Sequence, residues 1–166
     1  MARFEAELPT DILKDVEFVA NNALKIFGGM TKAGAEVVKK DIEAGTRRVF
    51  DGDTAAKMVS KLKITRTYET PSDGGINNKI AFYGYIPRSD GKQVKIKGKY
   101  SYSGVPAPLL ANLRENGASS SGAMPEPFKR YWTKKPFVRP AFDNKGGIEK
   151  AMLKAQKELS GGRLDG

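Results

Sequence analysis

Three groups of side chains have the type and spacing to do chemistry. Asp51 and Asp53 of an Asp-Gly-Asp turn, together with Asp41 or Glu43, are the one arrangement with a claim on Mg²⁺, a hard cation that takes oxygen ligands. Acidic helix caps and solvated helix faces explain them better. Lys92, Lys95, Lys97 and Lys99, with Tyr100 and Tyr102 close by, have the spacing to follow a phosphate backbone, and the run Phe128 to Lys135, which includes Tyr131 and Trp132, interleaves cations with stacking groups. The third group is Lys135-Pro136-Phe137-Val138-Arg139-Pro140-Ala141-Phe142-Asp143. Pro136 forces an extended lead-in and Pro140 pre-sets a first helical turn, so Phe137 and Phe142 are presented at a defined corner with Arg139 between them.

What is missing narrows the chemistry further. The 166 residues contain no His and no Cys, which excludes a Ser-His-Asp triad, a thiolate nucleophile, an ordinary zinc site and a disulfide framework. No P-loop or EF-hand spacing occurs. The expectation is a protein that is not an enzyme and needs no cofactor or metal.

The formal net charge of +10 is unevenly spread. Residues 1–53 carry eight basic and ten acidic side chains, a net of −2, and residues 54–166 carry the remaining twenty-one and nine, a net of +12. A field of that kind attracts nucleic acid, anionic lipid or an acidic protein.

These groups must be positioned by elements that the apolar spacing outlines. Ile12, Val16, Val19, Ala23 and Ile26 follow a plausible N-cap at Thr10 in alternating steps of four and three, one face of a helix that Gly28-Gly29 is expected to end. Thr31 then caps a second helix through Ala35, Val38 and Ile42 up to Gly45, and Asp53 or Thr54 caps a third through Leu62. Lys63 to Glu69 reads as a strand, Pro71 to Gly75 as a loop and Lys79 to Ile86 as one nearly continuous strand closed by Pro87. A turn at Arg88 to Gly91 leads into an antiparallel hairpin whose outer face carries the lysines. A short helix around Leu109, Leu110 and Leu113 stops at Gly117. A long loop over 116–132 follows, and Ile148, Met152, Ala155 and Leu159 mark a last amphipathic helix. The fold expected is one α+β domain over 1–166: N-terminal helices, a small antiparallel sheet of three or four strands with an extended hairpin, a C-terminal helix packed on the sheet, and flexible ends at 1–9 and 160–166.

The segment Lys135 to Asp143, leading into that last helix, resembles the signature of the tail-completion, or head–tail joining, proteins of long-tailed bacteriophages. The resemblance extends to an N-terminal helical segment, Ala33-Gly34-Ala35-Glu36-Val37-Val38-Lys39-Lys40, and to Glu115-Asn116-Gly117-Ala118-Ser119, which stands where that family has a Glu-Gly-Thr-like turn. It covers roughly residues 10–159, with an insertion, Ala118 where Thr is usual, and a lengthened hairpin region over 70–104. It implies a virion structural protein without catalysis, made in the host cytoplasm and assembled as a sixfold ring in the neck. Its neighbours would be a tail terminator, head stopper or tail tube, with genomic DNA passing through the lumen. The interface candidates are Glu115, Tyr131, Trp132, Phe137, Arg139 and Phe142.

Two questions stay open at this level. Arg139 either pairs with a carboxylate inside its own subunit, with Phe137, Val138 and Phe142 in the core, or crosses a subunit boundary as a charge-assisted donor. The lysines of the hairpin either meet DNA or an acidic partner, or are a solvated outer face that discourages edge pairing. The competing overall reading is a basic nucleic-acid-binding module. A membrane role is disfavoured, because the last helix lacks the bulky aromatics of an interfacial helix.

Overall fold

The structure, a computed structural model, describes residues 10–87, 94–96, 100–102, 104–117 and 133–164, with side chains at all of these except 94–96 and 100–102. It is an α+β fold in which one long helix, α1 (Thr10–Val49), is the axis for everything else. After it, among the described residues, come α2 (Gly52–Lys61), eight short strands, α3 (Ala107–Asn116), a 3₁₀ turn (Arg139–Phe142) and α4 (Lys145–Ser160).

Gly28-Gly29 does not divide α1. Each helical glycine costs about 1 kcal/mol relative to alanine, a cost that tertiary packing offsets here. The missing Cβ atoms let neighbours approach the backbone: Thr67 lies against Gly28, Leu159 against Gly29, Met152 and Ile148 against Gly34, and Phe137 against Gly45. Thr31 is no cap either; its hydroxyl proton lies within reach of two acceptors, the Gly28 carbonyl of its own helix (3.1 Å) and Asn78 Oδ1 outside it (2.8 Å), and serves one at a time.

The C-terminal helix also lies elsewhere than expected. It runs antiparallel along α1, not on a sheet: Asn144 donates to Asp41 (2.9 Å) at one end, and Arg163, just past the helix, reaches Asp15 (3.7 Å) and the face of Phe18 at the other. The small residues of α1 make the groove into which Ile148, Met152 and Leu159 fit, so that apolar stripe is spent on a helix. Asn144 caps the start through Gly147 N–H (3.2 Å), and Gly161, at φ 63°, ends it.

Among the described residues the strands form four two-stranded antiparallel ladders: β1 (Leu62–Ile64) with β4 (Ile80–Phe82), β2 (Tyr68–Glu69) with β3 (Ile76–Asn77), β5 (Tyr85–Pro87) with β8 (Gly104–Pro106), and β6 (Val94–Ile96) with β7 (Tyr100–Tyr102). The apolar run 79–86 is split because Gly84 adopts φ 75° and turns its carbonyl to the Ala107 N–H (2.9 Å). The 63–69 run likewise divides, into β1 and β2. The expected hairpin is shifted: Val94 faces Tyr102 and Ile96 faces Tyr100, while β5 pairs with the later β8 through Ile86 and Val105.

One core results. Val38, Ile42 and Phe50 from α1 and its exit meet Met58 of α2, Leu62, Phe82, Ile86 and Val105 of the ladders, Leu110 of α3, and Phe137 and Ala141. The C-terminal half of α1 is thus embedded, and its N-terminal half projects with α4 beside it. Among the described residues, no helix is long and apolar enough to cross a membrane.

Candidate partner-binding corner

Helix α3 begins after Pro106, with Pro108 in its first turn where a missing N–H is harmless, and it ends at Gly117, which takes φ 78° and ψ 171° and donates to the Leu113 carbonyl (2.7 Å). Its last turn carries two buried charges, Arg114 and Glu115. Arg114 donates from Nε to the Val49 carbonyl (3.0 Å) and from Nη1 to the Thr133 carbonyl (3.1 Å), and its own carbonyl accepts from Lys135 N–H (2.7 Å). The side chain thereby ties the C-terminal end of α1, where a cation is favoured, to the strand-like lead-in at 133–135.

A carboxylate in the last turn of a helix sits at the unfavourable end of the dipole, so Glu115 needs compensation. It receives three successive backbone N–H groups: Phe137 (2.7 Å) and Val138 (2.9 Å) on Oε2, and Arg139 (3.1 Å) on Oε1. The Arg139 Nε lies 3.8 Å from Oε1, and Arg139 Nη2 donates to Asn116 Oδ1 (3.2 Å). Burial by itself pushes the Glu115 carboxyl up, but the three N–H donations and the Arg139 charge outweigh it and hold the group below the usual carboxylate value. The donors are the unpaired N–H groups at the start of the 3₁₀ turn, whose first internal bonds run from Ala141 N to Val138 O and from Asp143 N to Pro140 O (both 3.1 Å).

The corner so pinned has an inner and an outer side. Phe137 is 2% exposed, its ring set edge-on to Phe50 (5.7 Å) and tilted against Phe82 (6.1 Å). Of the interface candidates, Phe137 and Glu115 are both buried within the subunit, where they hold the corner from beneath. Phe142, which the core reading placed inside, is 52% exposed, because the 3₁₀ turn directs Ala141 inward in its place. Arg139 makes its ion pair within the subunit while its side chain stays 76% exposed. Tyr131, Trp132, Lys92, Lys97 and Lys99 lie outside the described residues; Lys95 is placed on β6 opposite Ser101, its side chain not described.

The carboxylates considered for Mg²⁺ have other partners: Asp53 binds Lys57 (2.6 Å), Glu43 binds Lys39 (3.2 Å) and Asp41 accepts from Asn144, while Asp51 is the N-cap residue of α2. No group of three or more possible metal ligands occurs among the described residues. The structural role of Arg114 was not anticipated; an Arg-Glu pair immediately before a helix-ending Gly-containing turn is the only sequence signal for it. The chain matches no protein-family model, no curated protein and no solved structure.

Proposed function

We propose that this protein is a structural component of a bacteriophage virion, one subunit of a neck ring that joins the capsid connector to the tail, and that it carries out no catalysis. The reading is supported above all by one observation: the two halves of the phage-like signature, Glu115 and the Phe137-Val138-Arg139 backbone, twenty-odd residues apart in sequence, are joined by three hydrogen bonds to one buried carboxylate. A side chain that fixes a corner while leaving Phe142 and Arg139 outside is what a binding edge requires, since an immobilised aromatic loses little entropy when it docks.

On this reading Phe142 and Arg139 meet neighbouring subunits or neck proteins, and the basic second part of the chain meets acidic protein or the genome in the lumen. Electron microscopy of particles from an infection in which the gene carries an early stop codon tests it. Filled heads and tails that accumulate unjoined, and that join again on complementation in trans, are expected. Intact infectious particles made without the protein would overturn the proposal.

A further inference from the structure

Residues 61–83 form a ribbon of two antiparallel legs, β1 and β2 going out and β3 and β4 coming back, and its two faces differ in composition. Leu62 and Phe82, directly opposite each other, are core residues and define the inner face. Further out Thr67 lies against Gly28, and Asn78 is 2.8 Å from the Thr31 hydroxyl, so α1 continues to underlie that face. Side chains alternate along a strand, which sends the intervening residues to the other side. There Lys61 faces Tyr83, whose N–H donates to the Lys61 carbonyl (2.9 Å), Lys63 faces Ala81, and Thr65 faces Lys79, donating to its carbonyl (2.8 Å). Tyr68 then lies opposite Asn77, a slip of one residue that marks a bulge at Arg66 and lets Arg66 and Tyr68 join the outer face.

This outer face holds Lys61, Lys63, Arg66 and Lys79 and no carboxylate. The two acids of the ribbon, Glu69 and Asp73, stand at its turn, where Asp73 accepts from Gly75 N–H (2.9 Å). Lys63, Arg66 and Lys79 are exposed, and Tyr68 and Tyr83 are each 42% exposed. Among the described residues none of these four cations has an ion pair and neither tyrosine hydroxyl has a hydrogen bond. On the helices, by contrast, Lys39, Lys57 and Lys154 each have an acid one turn away.

A row of one sign, with neighbours about 7 Å apart along a strand and roughly 20 Å in all, complements a line of phosphates. A protein partner of the usual kind needs an apolar centre, and between the tyrosines this face offers only Ala81; nucleic-acid interfaces are more polar and more positive. The tyrosines lie at opposite ends of the row, too far apart to stack successive bases of a single strand, but their hydroxyls suit phosphate oxygens.

We propose that the outer face of the 61–83 ribbon binds the phosphate backbone of double-stranded DNA without regard to sequence. Lys61, Lys63, Arg66 and Lys79 neutralise phosphates, and the Tyr68 and Tyr83 hydroxyls donate to phosphate oxygens. These cations are separate from the lysines of 92–99 that the sequence singled out. The inference rests on the neck-ring reading for the source of the duplex but not for its chemistry.

The test titrates full-length protein into a fluorescein-labelled duplex of about 30 base pairs and mixed sequence, followed by anisotropy between about 50 and 200 mM NaCl. Micromolar binding at the low end is expected, with a log–log salt slope at least as steep as about −3.6, four cations at about −0.9 each. Lys61→Gln, Lys63→Gln and Lys79→Gln combined should weaken binding at least about tenfold at the lowest salt and flatten the slope by about 2.7. Lys40→Gln, Lys150→Gln and Lys154→Gln combined remove the same charge from exposed positions of α1 and α4 and should leave the slope within about 0.5 of wild type. Tyr83→Phe should weaken binding about threefold to tenfold at unchanged slope. Unchanged circular dichroism and melting confirm folding; if the triple ribbon variant melts early, Lys63→Gln and Lys79→Gln singly should each flatten the slope by about 0.9.

Equal losses from the two triple variants, or a slope that the ribbon variants leave unchanged, would overturn the proposal. Absence of duplex binding at the lowest salt would do so too and would hand the face to an acidic protein. A single strand of the same length bound more tightly than the duplex, with that advantage lost in Tyr83→Leu and kept in Tyr83→Phe, would overturn it in favour of base stacking. The two proposals fail separately. Ribbon-dependent duplex binding together with normal virions from the stop-codon infection would leave the DNA face standing without the neck role, and unjoined heads and tails from a chain that binds no duplex would leave the neck role without this face.

Discussion

Glu115→Gln is the sharpest single perturbation of the corner, because it keeps the size of the side chain and removes only its charge. The amide oxygen can still accept from Phe137 and Val138 N–H, in the place of Oε2. The amide nitrogen then replaces Oε1 and faces the Arg139 N–H 3.1 Å away, donor against donor, with the Arg139 guanidinium beyond it. One part-buried N–H loses its acceptor, and two charge-assisted bonds become neutral ones of about half the strength; together these cost about 3 kcal/mol. For a chain of this length that lowers Tm by about 6–12 °C.

The effect carries a pH signature that a mere packing defect would not. The Glu115 carboxyl is held below its ordinary value of 4.5 in the folded chain. The advantage of the wild type is therefore fully present above the ordinary carboxylate range and is lost as pH falls through the lower native value. Thermal melts of wild type and Glu115→Gln, followed by circular dichroism from neutral pH downward, should show a wide gap in Tm that closes on acidification below 4.5. A gap of less than about 2 °C at neutral pH, under 1 kcal/mol for this size, would refute the reasoning, and so would a gap that stays constant into the acid range.

Three further variants probe the same frame. Gly45→Ala places a methyl 3.0 Å from both Phe137 Cβ and the Phe137 carbonyl, where backbone must give, and should cost about 1–3 kcal/mol; Gly146→Ala, with nothing within 4 Å, should gain up to about 1 kcal/mol, both read as urea midpoints at unchanged slope. Arg114→Met leaves the Val49 and Thr133 carbonyls without their donor and should destabilise by about 3 kcal/mol, with amide exchange speeding up first at the end of α1. Arg139→Ala should change stability by less than about 1 kcal/mol, since the ion pair is at 3.8 Å and the side chain is largely in water; a larger loss in urea midpoint would contradict this.

How far the sequence carried the fold differs from element to element, for physical reasons. The helix ending at Gly117 and the short helix at 107–116 follow local rules, a positive φ and a proline-led first turn, and were legible. Gly28-Gly29 obeys the same local statistics and was misread, because its purpose is close approach by Thr67 and Leu159, which no local pattern displays. The 79–86 run has the composition of one strand and is cut by Gly84, whose carbonyl is claimed by Ala107 twenty-three residues later. At the corner, prolines 136 and 140 announced a turn between Phe137 and Phe142, but not which ring would face inward. That choice is made by Glu115: once it has drawn the N–H groups of 137–139 toward α3, Phe137 falls between Phe50 and Phe82, and the 3₁₀ turn carries Phe142 to the other side.

The two readings of Arg139 that the sequence left open are therefore not rivals in energy. Its backbone N–H belongs to Glu115 at 3.1 Å in a part-buried setting, whereas its guanidinium shares the same carboxylate only at 3.8 Å and from solvent. An exposed pair of that kind contributes on the order of 0–1 kcal/mol, so a carboxylate of a neighbouring copy can take over the guanidinium at little cost while the backbone clamp stays in place. The buried negative charge is used to hold the main chain, and the positive charge beside it is left available for recognition. On the proposed neck-ring function, rigidity and binding fall to different atoms of neighbouring motif residues, so substitution at Glu115 and at Arg139 should separate into a stability defect and an assembly defect.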